Sequence, residues 1–213
     1  VITLLCCNPI SSLIREKGKE ENSQDKSYLV LLWIIFGAAF VVRIIAAAVY
    51  KGNETDMNCF LIWSQNVFED GLSKFYLSDS FHDYPPGYMY ILYIVGAIRA
   101  LFSWAWDSKA SIVLTKLPAI IADMFTAYLI FKIASKRLKK SGAAFLSAVY
   151  LFCPMVILDS AVWGQTDSVF TVFMVLMCYL ITETYTFVLC VRNRNIDKTT
   201  VVVFHACTYM RYN

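Results

Sequence analysis

The stretch "YLVLLWIIFGAAFVVRIIAAAVY", residues 28–50, constrains the fold more than any other, because its 23 residues carry a single charge, Arg43. At about 1.5 Å of rise per residue, a helix of that length crosses the roughly 30 Å hydrocarbon layer of a bilayer. Composition carries the same conclusion along the chain. Apolar residues fill 58% of its 213 positions and charged residues only 16%, far too oily a balance for a soluble domain of this size. The expected fold class is all-α, a polytopic transmembrane helical protein.

Further apolar runs follow. The spans expected after the first lie at about 112–134, 143–160 and 167–181, with a marginal run, rich in tyrosine and tryptophan, at 86–104. Residues 1–14 are apolar but too short to span, and the chain begins with Val, so an upstream start is expected. The linker at 15–26 is polar. Residues 51–85 are polar and acidic, and within them Met57, Phe60, Leu61, Ser64, Val67 and Phe68 recur at helical spacing before a Gly71 stop. That pattern predicts an amphipathic helix on the membrane surface, with Trp63 at headgroup level.

Charge sets the orientation. Cytoplasmic loops collect Lys and Arg, and four such residues lie in 15–26, four in "SKRLKK" at 135–140 and three in "RNRNIDK" at 192–198. An even number of crossings must separate each group from the next. The 86–104 run is therefore expected to be a re-entrant or interfacial helix within one long extracytoplasmic segment, 51–111, of a multi-pass protein (of the plasma membrane if the chain is bacterial). The net charge of +3 gives no nucleic-acid footprint. Seven cysteines without a CxxC pair, and no His at ligand spacing, predict neither a disulfide framework nor a zinc site.

Four groups of residues stand out chemically. Asp56 is expected at or near the N-cap of the surface helix, where an ionised carboxylate can act as a general base. "DYPPG" places Pro85 and Pro86 as a rigid lead-in to the next helix, holding Asp83 and Tyr84 at the water–lipid boundary. Lys116 and Asp123 lie two turns apart on one helix face, Lys116 within reach of a headgroup phosphate and Asp123 deeper. Arg43 lies at comparable depth, and an Arg43–Asp123 contact is the structural alternative to a functional role for both. "DSAVWGQTDSVF" packs Trp163, Gln165 and Asp167 around a glycine, a stacking face beside directed hydrogen bonds that suits a sugar.

In this order, an acid in the first loop, "DYPPGYMYIL", "KLPAIIADM" and "CPMVILDSAVWGQTDSVF", the chain resembles the N-terminal part of GT-C superfamily glycosyltransferases over residues 28–182. The likeness is to bacterial mannosyltransferase-like members related to dolichyl-phosphate-sugar-dependent enzymes. The resemblance implies inverting transfer of a hexosyl or mannosyl group from a polyprenyl- or dolichyl-phosphate sugar to a hydroxyl acceptor on the extracytoplasmic face. It implies Asp56 as the base, Lys116 as the phosphate partner, and Asp83, Tyr84, Trp163, Gln165 and Asp167 as substrate-lining residues. Some relatives add a divalent metal, which Asp56 with Asp83 or Asp167 would hold.

Residues 1–27 read as a polar N-terminal segment and 28–182 as a partial GT-C-like domain. Residues 183–213 change character, as a frame shift or a divergent terminus would make them, and a fragment of this length is expected to lack a complete donor groove. A transporter or channel subunit, with Arg43, Lys116 and Asp123 lining a polar path, is the competing class.

Overall fold

The computed structural model describes residues 24–77 and 81–192 and is all-helical, with no strand among the described residues. The expectations for residues 1–14, for the linker before residue 24 and for the basic run past Arg192 lie outside the described residues. In order come α1 (Gln24–Val49), α2 (Glu54–Asp70), α3 (Leu72–Phe75), α4 (Pro86–Leu101), α5 (Lys109–Ala134), α6 (Lys140–Leu151) and α7 (Pro154–Ile157). A π-helical turn, Leu158–Trp163, and α8 (Asp167–Arg192) complete the described chain. The chain divides into two compact units, 1–173 and 174–213. In the second, the described part is the continuation of α8, which runs unbroken through the composition change at 182.

Among the described residues two helices are long and apolar enough to cross a membrane: Tyr28–Val49 within α1, and α5. A third span exists if α6 and Pro154–Trp163 are one crossing, and this pair is bent by 52°. The expected straight span at 143–160 is thus broken. Pro154 has no N–H to donate back, and its ring pushes Cys153 to an extended ψ of 120°. The apolar part of α8, Asp167–Ile181, and α4, of 16 residues, are both shorter than a span. α4 ends at Leu101 and rises about 24 Å, less than the hydrocarbon thickness.

α1 and α5 run antiparallel, as two contacts in register show. Lys116 near the start of α5 reaches the carbonyl of Tyr50, just past the end of α1. Seven residues deeper on each helix, Arg43 meets Asp123. The helices approach closely because the contacts are made by small residues: Ala39 and Ala127 pack with Leu151, and Ala47 packs with Ile120 and Ala161. Where lipid surrounds a bundle, close backbone approach through small side chains replaces the hydrophobic drive. The outer face of α1 is apolar and open, with Trp33 78% exposed, as a lipid-facing surface requires.

The expected Arg43–Asp123 contact is present, Nε to Oδ2 at 3.0 Å with both side chains fully buried. Asp123 also accepts from Ser160 Oγ at 2.6 Å, Ser168 Oγ at 2.6 Å and Tyr150 OH at 3.3 Å. One carboxylate therefore ties α1, α6, the π-helical turn and the start of α8 to α5. A charge in this setting persists only where donors surround it.

On the end of the pair where α1 stops and α5 starts, α2 and α4 pack together. α2 buries Met57, Phe60, Leu61, Trp63, Ser64 and Val67. Trp63 is buried within the protein, and its Nε1 donates to the Phe81 carbonyl at 3.0 Å. Gly96 lets α4 close onto α2, since a Cβ there would strike the Ser64 carbonyl and the Phe68 Cβ.

Asp123→Leu leaves Arg43 buried without its carboxylate and is expected to cost about 3–5 kcal/mol. The double variant Arg43→Met/Asp123→Leu is expected to lose less than Asp123→Leu alone. Chemical denaturation in detergent measures both; equal stability of single variant and wild type contradicts the tie.

Candidate functional site

The site forms where α2 begins and the π-helical turn ends. Asn53, not Asp56, is the N-cap of α2: its Oδ1 accepts from the backbone N–H of Thr55 at 3.0 Å and of Asp56 at 3.3 Å. Asparagine satisfies two of the helix's orphan donors, so the Asp56 carboxylate, third residue of the first turn, is released from capping. It faces the turn instead. Asp56 Oδ2 accepts from Trp163 Nε1 at 2.9 Å and from Gln165 Nε2 at 2.7 Å, across more than a hundred residues of sequence. Oδ1 accepts from no donor among the described residues, and the residue is half-buried. The carboxylate is anchored through one oxygen and open through the other.

The turn is built to present those two donors. Gly164 closes it in the left-handed region at φ 86°, and the Asp159 carbonyl accepts from the N–H groups of Gly164 at 2.9 Å and Gln165 at 3.0 Å. No side chain fits at 164, because a Cβ would come within 2.7 Å of Met57 Cε and 3.1 Å of Lys116 Cγ and Cε. Gly52, at φ 91°, similarly lets the chain after α1 pass over the carbonyls of Val162 and Trp163. Single-turn π-helical distortions recur at functional sites in helices, where they re-aim side chains.

Lys116 supports this turn from below. Its ammonium donates to the carbonyls of Tyr50 at 2.7 Å, Ala161 at 3.0 Å and Val162 at 2.8 Å. An ammonium has three N–H donors, and all three are engaged, with the side chain fully buried. Beside the phosphate-binding expectation for Lys116 stands this geometry: a phosphate would have to displace one of these carbonyls. The geometry makes it a cation on the unpaired carbonyls that end α1 and the π-helical turn, where a positive charge is favourable.

Beside Asp56 a pocket of about 180 Å³ is lined by Thr55, Cys59, Phe60, Trp63, Phe81, Asp83 and Tyr84. Pro85 is the N-cap of α4 and Pro86 its first residue, the rigid lead-in expected of them, and they set Tyr84 across the pocket. The Tyr84 hydroxyl donates to Gln165 Oε1 at 3.3 Å, and its ring meets Phe60 and Trp63 at 5.2 and 5.6 Å between centroids. Asp83 is exposed on the pocket rim, whereas Asp167 opens α8 and is not among the lining residues. The pocket is anionic. Burial, with the Asp83 and Asp56 charges adding to it, raises the Cys59 thiol above its usual range, and the Tyr84 phenol is raised for the same reasons.

The residues do not suit a resident divalent cation. Asp56 has one oxygen committed to two neutral donors, and among the described residues no three His, Cys, Asp or Glu side chains cluster. Ser160, Ser168 and Tyr150 around Asp123, the Asn53 cap and the pocket aromatics Phe81 and Trp63 were not singled out for these roles in sequence. Paired serines in otherwise apolar segments were the available signal for the Asp123 network.

Lys116→Met is expected to destabilise the protein by about 1–3 kcal/mol for each carbonyl that finds no replacement donor. An unchanged thermal midpoint in detergent contradicts the clamp. No family model, no curated protein and no solved structure matches this chain.

Proposed function

We propose that the chain is part of a multi-pass membrane glycosyltransferase of the GT-C kind. It would move a hexosyl unit, of the mannosyl type in the family that the motif order resembles, from a polyprenyl-phosphate donor to a hydroxyl acceptor. The observation that carries this reading is the Asp56 carboxylate, fixed through Oδ2 and open through Oδ1 beside an aromatic-walled pocket. A base held in one orientation, with a lone pair directed at an acceptor, is what deprotonation of a hydroxyl needs. The accessible rings of Phe81 and Tyr84 offer apolar surface for a sugar, backed by the buried Phe60 and Trp63, and Asp83 offers an acceptor for its hydroxyls.

In this mechanism an acceptor hydroxyl donates to Asp56 Oδ1. Its oxygen bonds to the anomeric carbon while the bond from that carbon to the phosphate oxygen breaks, and the lipid phosphate leaves with the electron pair. The proton ends on Asp56. Trp163 and Gln165 keep the carboxylate oriented, and Lys116 holds their turn. Among the described residues that line the pocket there is no cation, so this mechanism needs a counter-charge for the leaving phosphate from outside that lining.

The basic run 135–140 lies past the opposite end of α5 from Lys116 and the turn, which supports an extracytoplasmic Asp56 end. Arg43, Lys116 and Asp123, the residues a transport path would use, are each fully buried and bonded within the protein, which favours surface chemistry over the transport reading.

Asp56→Asn in the intact protein is expected to slow sugar release from a polyprenyl-phosphate-hexose donor by about 10²–10⁴-fold with donor binding retained. Full turnover by that variant removes the base. With the seven native cysteines replaced, Leu77→Cys is expected to react with an impermeant thiol reagent from outside the cell and Ser141→Cys only after permeabilisation. The reverse pattern contradicts the orientation.

A further inference from the structure

A second pocket, of about 260 Å³, lies between the C-terminal half of α2 and the loop joining α4 to α5. It shares no lining residue with the Asp56 pocket, and Gln65, its first lining residue on α2, lies nine residues beyond Asp56 itself. Arg99 and Glu69 both line it. Arg99 is 7% exposed, and its hydrogen bond among the described residues is a long one, from Nη1 to the Leu61 carbonyl at 3.4 Å. A guanidinium has five donors, and none of this one's nitrogens is both buried and unpartnered, so those not bonded to Leu61 open onto the cavity, where a ligand can supply acceptors. Glu69 accepts from Gln65 Nε2 at 2.8 Å. The two opposite charges share one cavity yet form no ion pair.

The rim is built differently from a water-facing cleft. Trp104 and Trp106 line the pocket and are 38% and 46% exposed, while the adjoining Leu101 and Phe102 are 77% and 58% exposed. Trp104 stacks on Phe102 with centroids 5.0 Å apart. Ser103 between them is held at φ 52°, the one positive-φ residue other than glycine among the described residues. This is the helix stop of α4: the Ser103 N–H returns to the Ala100 carbonyl and the Trp104 N–H to the Arg99 carbonyl, each at 3.1 Å, which fixes where the indole of Trp104 leaves the helix. Tryptophans beside apolar side chains at the end of a short apolar helix suit the boundary between headgroups and acyl chains.

We infer that this pocket binds the headgroup of a zwitterionic phospholipid, its phosphate on Arg99 and its ammonium between Glu69 and the indole faces. A separated positive and negative group in one cavity matches a ligand carrying the complementary pair. Guanidinium suits phosphate, while carboxylate and indole suit a cation. The exposed Leu101 and Phe102 side chains lie where the acyl chains would leave.

Native mass spectrometry of the full chain in detergent, with phosphatidylethanolamine, phosphatidylglycerol or diacylglycerol added in turn, tests the assignment. Phosphatidylethanolamine is expected to be retained most, and diacylglycerol not at all. Arg99→Gln should weaken retention of both phospholipids by about tenfold or more. Glu69→Gln, at an exposed position that folding does not depend on, should reverse the preference in favour of phosphatidylglycerol. Equal retention of diacylglycerol, or an unchanged preference in Glu69→Gln, overturns the inference. Displacement of the lipid by soluble phosphoethanolamine at equal concentration overturns the lipid as the source of the headgroup.

Discussion

A carboxylate within an apolar helix pair has to be surrounded by donors, and Asp123 meets that constraint with side chains from four other segments. The rest of the arrangement follows from it. The Arg43–Asp123 contact fixes the axial register of α1 against α5, and two turns later that register brings Lys116 to the end of α1. Ser160 holds the π-helical turn to the same carboxylate, so the Ala161 and Val162 carbonyls meet the Lys116 ammonium. With the turn fixed from both sides, Trp163 and Gln165 reach Asp56. A buried charge network thus positions a half-exposed carboxylate without itself being open to solvent.

The long helices were legible in the sequence because uninterrupted apolar runs leave little choice in a bilayer. The Arg43–Asp123 pairing was legible for a related reason: lone charges at matching depths have few other ways to be satisfied. The break at Cys153–Pro154 was not expected, although Pro154 stood in plain view, because the apolar run continues across it. Asp56 was placed one turn too early, since Asn53 and Asp56 are both good caps and only the backbone geometry distinguishes them. The carbonyl partners of Lys116 were not legible at all. Sequence gives the charge and the depth of a lysine, but not whether the carbonyl ends of two other segments converge on it.

Two cavities with opposite character follow from the same helices. The one at the start of α2 is acidic and aromatic, with a carboxylate oxygen free to accept a proton. The one at its far end holds a buried guanidinium and a carboxylate kept apart. α2 is the shared wall, and its burial against α4 at Gly96 keeps both in place. On the proposed reading, the first performs chemistry on a hydroxyl and the second seats the surface helices in the headgroup layer.

The central claim is that Asp56 and the Trp163–Gln165 turn form one site on one side of the membrane. Cysteines placed at 56 and 165 in a chain lacking its native thiols, treated in intact membranes with a short bifunctional thiol reagent, test it most directly. The account predicts an intramolecular cross-link, seen as a shift in electrophoretic mobility and in the mass of the joined peptides. Modification of each cysteine singly, with no joined product, would contradict it.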